Sequence, residues 1–148
     1  MRTLSTDLIG LRYPTRQPIM SGTWTQNQTT AGTRYLPPYF GGSWTPNSSE
    51  ALFKIPAPTS GFASLLRVSC DGAALGSGNT VVYTLRKNGV DTALTVTLNN
   101  TTSDAQDTTN VVQVSKDDLL SFSVVTTGTP TAVRPRISWV WDGDNAGE

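Results

Sequence analysis

No histidine occurs in the 148 residues, and the single cysteine, Cys70, has no second thiol for an intrachain disulfide. Imidazole is the usual general base, metal ligand and physiological pH switch, so hydrolysis built on a Ser-His or Cys-His pair is excluded. With one cysteine, no covalent staple stands in for a hydrophobic core. Charge is scarce too: 15% of residues are charged, with 11 Lys+Arg against 11 Asp+Glu and a formal net charge of zero. Basic residues scattered singly make no cationic surface for phosphate backbones or anionic lipid, so neither nucleic acid nor membrane is expected as a partner. No stretch approaches the ~18 apolar residues of a membrane span, and Met1 to Asp7 lacks the apolar centre of a signal peptide. A soluble, unsecreted chain is expected. The sequons at Asn27, Asn47, Asn99 and Asn100 then follow simply from Asn standing among many hydroxyls.

What the chain has in quantity is neutral polar residues: 23 Thr and 14 Ser, with 13 Gly and 9 Pro. Threonine suits a pleated, half-wet strand face, and Gly and Pro punctuate turns. A disordered chain has a similar composition. It is disfavoured because apolar residues make up 36% and fall in alternating runs.

Residues 1–22 read as an extended N-terminal arm. Leu8 to Met20 is apolar without a period of 2 or 3.6, and Pro14 and Pro18 bar a helix or a central strand. Residues 23–49 are an irregular lead-in set with Trp24, Tyr35, Leu36, Tyr39, Phe40 and Trp44; these aromatics either lie over their own core or dock on a neighbour. From residue 50 a period of 2 recurs. Ala51, Phe53 and Ile55 predict a strand ended by Pro56-Ala57-Pro58. Leu66, Val68 and Cys70 share a face of the next, and Val81, Tyr83 and Leu85 share a face of a third. Asn88-Gly89 predicts a tight hairpin into Leu94, Val96 and Leu98. A polar loop from Asn99 to Asp107 leads to Val112 and Val114, the Lys116-Asp117-Asp118 turn leads to Leu120, Phe122 and Val124, and the last run sets Ile137, Trp139 and Trp141 on one face. Six strands after residue 50, with one or two before it, predict an all-β sandwich of about eight strands over 23–142. Residues 143–148 read as a polar tail.

Chemical motifs are weak. Gly72 to Gly78 lacks the Lys-Ser/Thr ending and the helix of a phosphate loop, so it reads as a turn. Cys70, with no imidazole to activate it, reads as a small core residue rather than a nucleophile. Asp142-Gly143-Asp144-Asn145 lacks the later acidic ligand of a calcium loop. Asp104 with Asp107, and Asp117 with Asp118, are read as turn-capping residues in preference to a cation site or an acid–base pair. Trp24, Trp44, Trp139 and Trp141 suggest a sugar-stacking platform, but Trp139 and Trp141 point with Ile137, which favours core or subunit packing. No catalytic residue, cofactor or metal is expected.

From about residue 50 the chain resembles phage virion proteins with a jelly-roll domain similar to the complement C1q and tumour-necrosis-factor heads. The match is carried by Tyr83 to Thr97, Thr108 to Val114 and Lys116 to Val124. It departs at the Lys116-Asp117-Asp118 turn, where that family usually has Ala-Gly-Asp. The resemblance implies an antiparallel jelly roll, a homotrimer around a threefold axis, a place in the virion after assembly in the host cytoplasm, and no enzymatic activity. Such domains serve as capsid decoration (cement) proteins, head fibres and tail-fibre modules. One jelly roll and one arm, with no shaft, favour decoration. The arm would then contact the major capsid protein or another virion protein through Leu8, Ile9, Leu11, Arg12, Tyr13 and Arg16. Tyr83, Leu85, Phe122, Trp139 and Trp141 are expected in the core or in trimer packing. The alternatives are an adsorption module that binds host glycans and, behind it, a carbohydrate-active enzyme on a jelly roll.

Overall fold

The computed structural model describes the backbone of residues 19–23 and, in full, residues 29–38, 47–70, 75–131 and 134–143. Among the described residues there are ten strands: β1 Ile19–Thr23, β2 Gly32–Leu36, β3 Ile55–Pro56, β4 Gly61–Cys70, β5 Thr80–Lys87, β6 Val90–Asn99, β7 Asp104–Gln106, β8 Val111–Val114, β9 Leu119–Thr127 and β10 Pro135–Gly143. The first sheet runs β1-β10-β4-β7, with β8 continuing along the edge of β4 that β7 occupies. The second runs β2-β9-β5-β6, with β3 beside β2 on the edge of β9. Every pairing is antiparallel. Counting β2 with β3 and β7 with β8 as interrupted strands gives eight positions. Apart from the β5–β6 hairpin, which stays within the second sheet, the chain passes back and forth between the two sheets in jelly-roll order.

The all-β sandwich therefore stands, with two boundary corrections. Residues 19–22, expected within the arm, belong to β1, which pairs along β10 from Ile19↔Val140 to Thr23↔Arg136. The strand expected over 51–55 is instead a 3₁₀ turn at Glu50–Leu52 followed by the two-residue β3. Phe53 N–H donates to the Glu50 carbonyl at 2.9 Å, Phe53 is buried, and Leu52 is 67% exposed. Alternation failed here because the Glu50 carboxylate is drawn onto the face of the second sheet, and a single turn brings Phe53 inward as readily as a strand would.

Inward side chains alternate as expected. Leu66 and Val68 from β4, Val81, Tyr83 and Leu85 from β5, Leu94 and Leu98 from β6, and Phe122 and Val124 from β9 are all without exposed surface. Phe122 meets Trp139 edge-to-face across the two sheets at 6.2 Å, and Trp139 meets Trp141 at the same distance. Each fully buried large side chain contributes ~1.5–3 kcal/mol. Cys70 is half-buried and packs against this core.

Two backbone features depart from regular strands. Asn88 (φ 53°) and Gly89 (φ 82°) form the two-residue tip between Lys87 and Val90, where both central residues must take positive φ. Leu65 also has positive φ (53°), in the middle of β4. The register there passes from Ser64↔Val140 to Arg67↔Ser138, so Leu65 and Leu66 together face Trp139. This is a β-bulge whose left-handed position is usually filled by glycine; a leucine there costs about 1–2 kcal/mol of backbone strain.

Candidate interaction surface

The five core candidates, Tyr83, Leu85, Phe122, Trp139 and Trp141, lie between the sheets of a single chain at 0–6% exposure. They build the domain and leave no surface for a partner. The six arm candidates, Leu8, Ile9, Leu11, Arg12, Tyr13 and Arg16, lie outside the described residues, as do Trp24, Tyr39, Phe40, Trp44, Gly72 and Asp144.

The candidate carboxylates are engaged by structural donors. Asp107 is 8% exposed. It accepts from the backbone N–H groups of Thr95 (3.1 Å), Thr109 (3.1 Å) and Asn110 (3.0 Å) and from the Asn110 side-chain amide (2.9 Å). Burial pushes its pKa up, but the donors of Asn110, Thr95 and Thr109 outweigh burial and hold it at about 2. Asp118 caps its turn by accepting from Ser115 N–H at 2.8 Å and takes the Asn88 amide at 2.6 Å; those donors, from Ser115 first, hold its pKa below the ordinary value. Asp104, expected in a turn, lies in β7. It pairs with Arg67 on the neighbouring strand through Nε (3.0 Å) and Nη2 (2.6 Å), and that pairing lowers its pKa. The described part of the glycine-rich loop is a turn closed by Asn79, whose amide donates to the Leu75 carbonyl at 2.9 Å. Among the described residues no cluster of three acidic or thiol groups is placed to hold a metal ion, and no helix is long and apolar enough to cross a membrane.

The outer face of the second sheet is a charge network. Arg86 donates through Nε to Glu50 at 2.9 Å, through Nη1 to Asp91 and through Nη2 to the Gly89 carbonyl, with its guanidinium 5.5 Å from the Tyr35 ring centre. Ser121 adds a hydroxyl donor to Glu50 at 2.8 Å. Burial raises the pKa of Glu50, and the donors Arg86 and Ser121 more than reverse it. These groups satisfy one another, while Leu119 and Val125 on the same face are 38% and 39% exposed. Sequence reading missed it because Glu50 and Arg86 lie 36 positions apart and neither belongs to a motif.

An apolar cavity of about 110 Å³ opens at one end of the sandwich, between Pro38, Ile55, Pro56, Pro58, Leu120 and the rings of Trp139 and Trp141. The Trp139 indole N–H is already used, donating to the Pro38 carbonyl at 2.7 Å. The cavity thus offers shape and apolar contact with almost no polar anchor, and Trp139 and Trp141 are too buried to serve as an open sugar platform.

The outer face of the first sheet is different. Phe62, Leu65 and Val111 are 37%, 38% and 62% exposed and lie in adjacent rows of β4 and β8. Val140 lies in the same row as Ser64 and Val111, on β10, and is itself buried. Toward the other end stand the Arg67–Asp104 pair, Ser69 and Arg136. An apolar centre beside a polar margin is the anatomy of a protein contact surface. The one trace of it in the sequence is the change of phase between Ala63 and Leu66, which turns Leu65 outward.

No protein-family model matches the chain, and no curated protein matches it.

Proposed function

We propose that this chain is a non-enzymatic phage structural protein, a capsid decoration protein whose sandwich heads associate as a homotrimer and whose arm grips the head surface. The reading is carried by one observation: the jelly-roll strand order of residues 19–143 agrees with the family that Tyr83 to Thr97 and Lys116 to Val124 resemble. The engagement of Glu50, Asp91, Asp104, Asp107 and Asp118 in structural bonds agrees with a protein that works by packing. The arm provides Leu8, Ile9, Leu11 and Tyr13 to fill gaps in the shell and Arg12 and Arg16 to meet its carboxylates.

Purified full-length chain, mixed with heads that lack it, should co-sediment with them, and deletion of residues 1–18, which leaves β1 intact, should reduce co-sedimentation to background. Undiminished binding of the shortened chain removes the arm from the mechanism. Antibody labelling of tails rather than heads in electron micrographs of the intact virion, together with specific signals on a glycan array, would replace decoration by host adsorption.

A further inference from the structure

We infer that Asn88 is a site of spontaneous deamidation, and that conversion of its amide to a carboxylate releases the tip of the β5–β6 hairpin from β9. The inference is independent of the decoration reading and concerns the chemistry of the chain itself.

The first observation is what surrounds the amide. Asn88 is the one asparagine of the sequence followed by glycine, and it is exposed to water at the hairpin tip. Ring closure brings the next backbone nitrogen onto the side-chain carbon, and a Cβ on that next residue obstructs the approach; Gly89 has none. Asn79, Asn99 and Asn110 also have bound side chains, but Thr80, Asn100 and Val111 follow them. The Asn88 side-chain oxygen accepts the Leu119 N–H at 2.8 Å, and a donor fixed there stabilises the oxyanion that forms when a nucleophile adds to the carbon. The step needs only water. The Gly89 nitrogen bonds to Asn88 Cγ and gives up its proton, the Cγ–Nδ2 bond breaks, and that proton leaves with the nitrogen as ammonia. Water then opens the resulting imide at either carbonyl, giving aspartate or isoaspartate.

The second observation is what the product meets. The Asn88 amide donates to the Asp118 carboxylate at 2.6 Å, whereas an ionised carboxylate in its place can only accept. Asp118 is held ionised by the Ser115 N–H at 2.8 Å and by Asn88 itself. Two carboxylates at hydrogen-bond distance repel, and the Lys87 ammonium, 3.9 Å from Asp118, is too far to replace the lost bond. The isoaspartate form adds a main-chain carbon to a two-residue turn whose pairing of Lys87 with Val90 depends on φ 53° at Asn88 and 82° at Gly89.

The third is how much hangs on this residue. Asn88 makes three bonds between the tip and the chain entering β9: its N–H to the Leu119 carbonyl at 2.7 Å, its side-chain oxygen from the Leu119 N–H, and its amide to Asp118. Deamidation removes the last outright and sets a like charge beside the other two. The change runs one way, because the released ammonia does not return to the chain.

Full-length chain kept folded for several weeks in mildly alkaline buffer at body temperature, then digested and read by mass spectrometry, tests this. Asn88 should convert to a mixture of aspartate and isoaspartate while Asn79, Asn99 and Asn110 remain amides. Hydrogen exchange on the aged chain should show the Asn88 and Leu119 backbone amides opening faster by on the order of tenfold or more. Asn88→Asp, which supplies the product without ageing, should melt lower by on the order of 3 °C or more. Adding Asp118→Asn reverses the amide–carboxylate pair and should restore most of that loss. An Asn88 that stays an amide in the folded chain overturns the site. Unchanged exchange in the converted chain overturns the release, as does an Asn88→Asp variant as stable as wild type, and a reversed pair that restores nothing removes Asp118 as its cause.

Discussion

Two buried groups show how single residues divide their work between fold and chemistry. Tyr83 is fully buried on β5, and its hydroxyl has no hydrogen-bond partner; burial, with Cys70 nearby, drives its pKa well above the ordinary value. An unpaired buried hydroxyl costs more than it returns. Tyr83→Phe should therefore leave the urea midpoint unchanged or raise stability by up to about 1 kcal/mol. A loss of more than that would reveal a hydroxyl interaction that the core geometry does not contain. Asp107 is the opposite case, a buried carboxylate with every nearby donor aimed at it. Its folded pKa of about 2 lies below the ordinary aspartate value of 3.8. A depressed acid pKa contributes stability that is complete above the unfolded value and is lost as pH falls through the folded one. Urea unfolding at stepped pH should thus show about 2 kcal/mol disappearing between about pH 4 and about pH 2. Asp107→Asn should flatten that window and lower stability at neutral pH.

At the scale of elements, the hairpin tip and the 3₁₀ turn are both fastened to β9. Asn88 exchanges backbone bonds with nothing on its own strand pair at the tip; instead its N–H donates to the Leu119 carbonyl at 2.7 Å and its side-chain oxygen accepts the Leu119 N–H at 2.8 Å. Gly89→Ala should cost about 1–2 kcal/mol through its positive φ, read as a fall in melting temperature. The 3₁₀ turn hangs on Glu50. Glu50→Ala should cost about 1–3 kcal/mol, and a double-mutant cycle with Arg86→Met should show clear non-additivity. Additive losses would mean that the two groups act separately. These attachments explain what was legible beforehand. Asn88-Gly89, the Leu94–Val96–Leu98 alternation and the inward Ile137–Trp139–Trp141 set are local signals, and each lies where its spacing placed it. The 3₁₀ turn, the bulge at Leu65 and the placement of Asp104 in β7 depend on partners 36 to 76 positions away in the chain, which periodicity does not register. The exposed apolar row on the first sheet was hidden for the same reason: it needs β4 and β8 side by side before Phe62, Leu65 and Val111 become neighbours.

At the scale of the whole molecule, stability comes from two sheets closing over one apolar layer without a disulfide to constrain the unfolded chain. A sandwich of this kind has four sheet edges. Two are broken into short pieces, β2 with β3 and β7 with β8, and interruption is itself a defence against unwanted pairing. The long edge is β6, ten residues from Val90 to Asn99. There the Thr95 N–H points away from β5 and is taken by the Asp107 carboxylate. An anion fixed at the middle of an open edge obstructs any extended chain that tries to add as a further strand. Acid that neutralises it would free a template for cross-β growth. Asp107→Ala at neutral pH should accordingly gain thioflavin fluorescence on prolonged incubation while wild type stays flat, and wild type should follow near pH 2. The residue that steadies one turn is on this account also what keeps a concentrated, threonine-rich β protein from polymerising into fibrils.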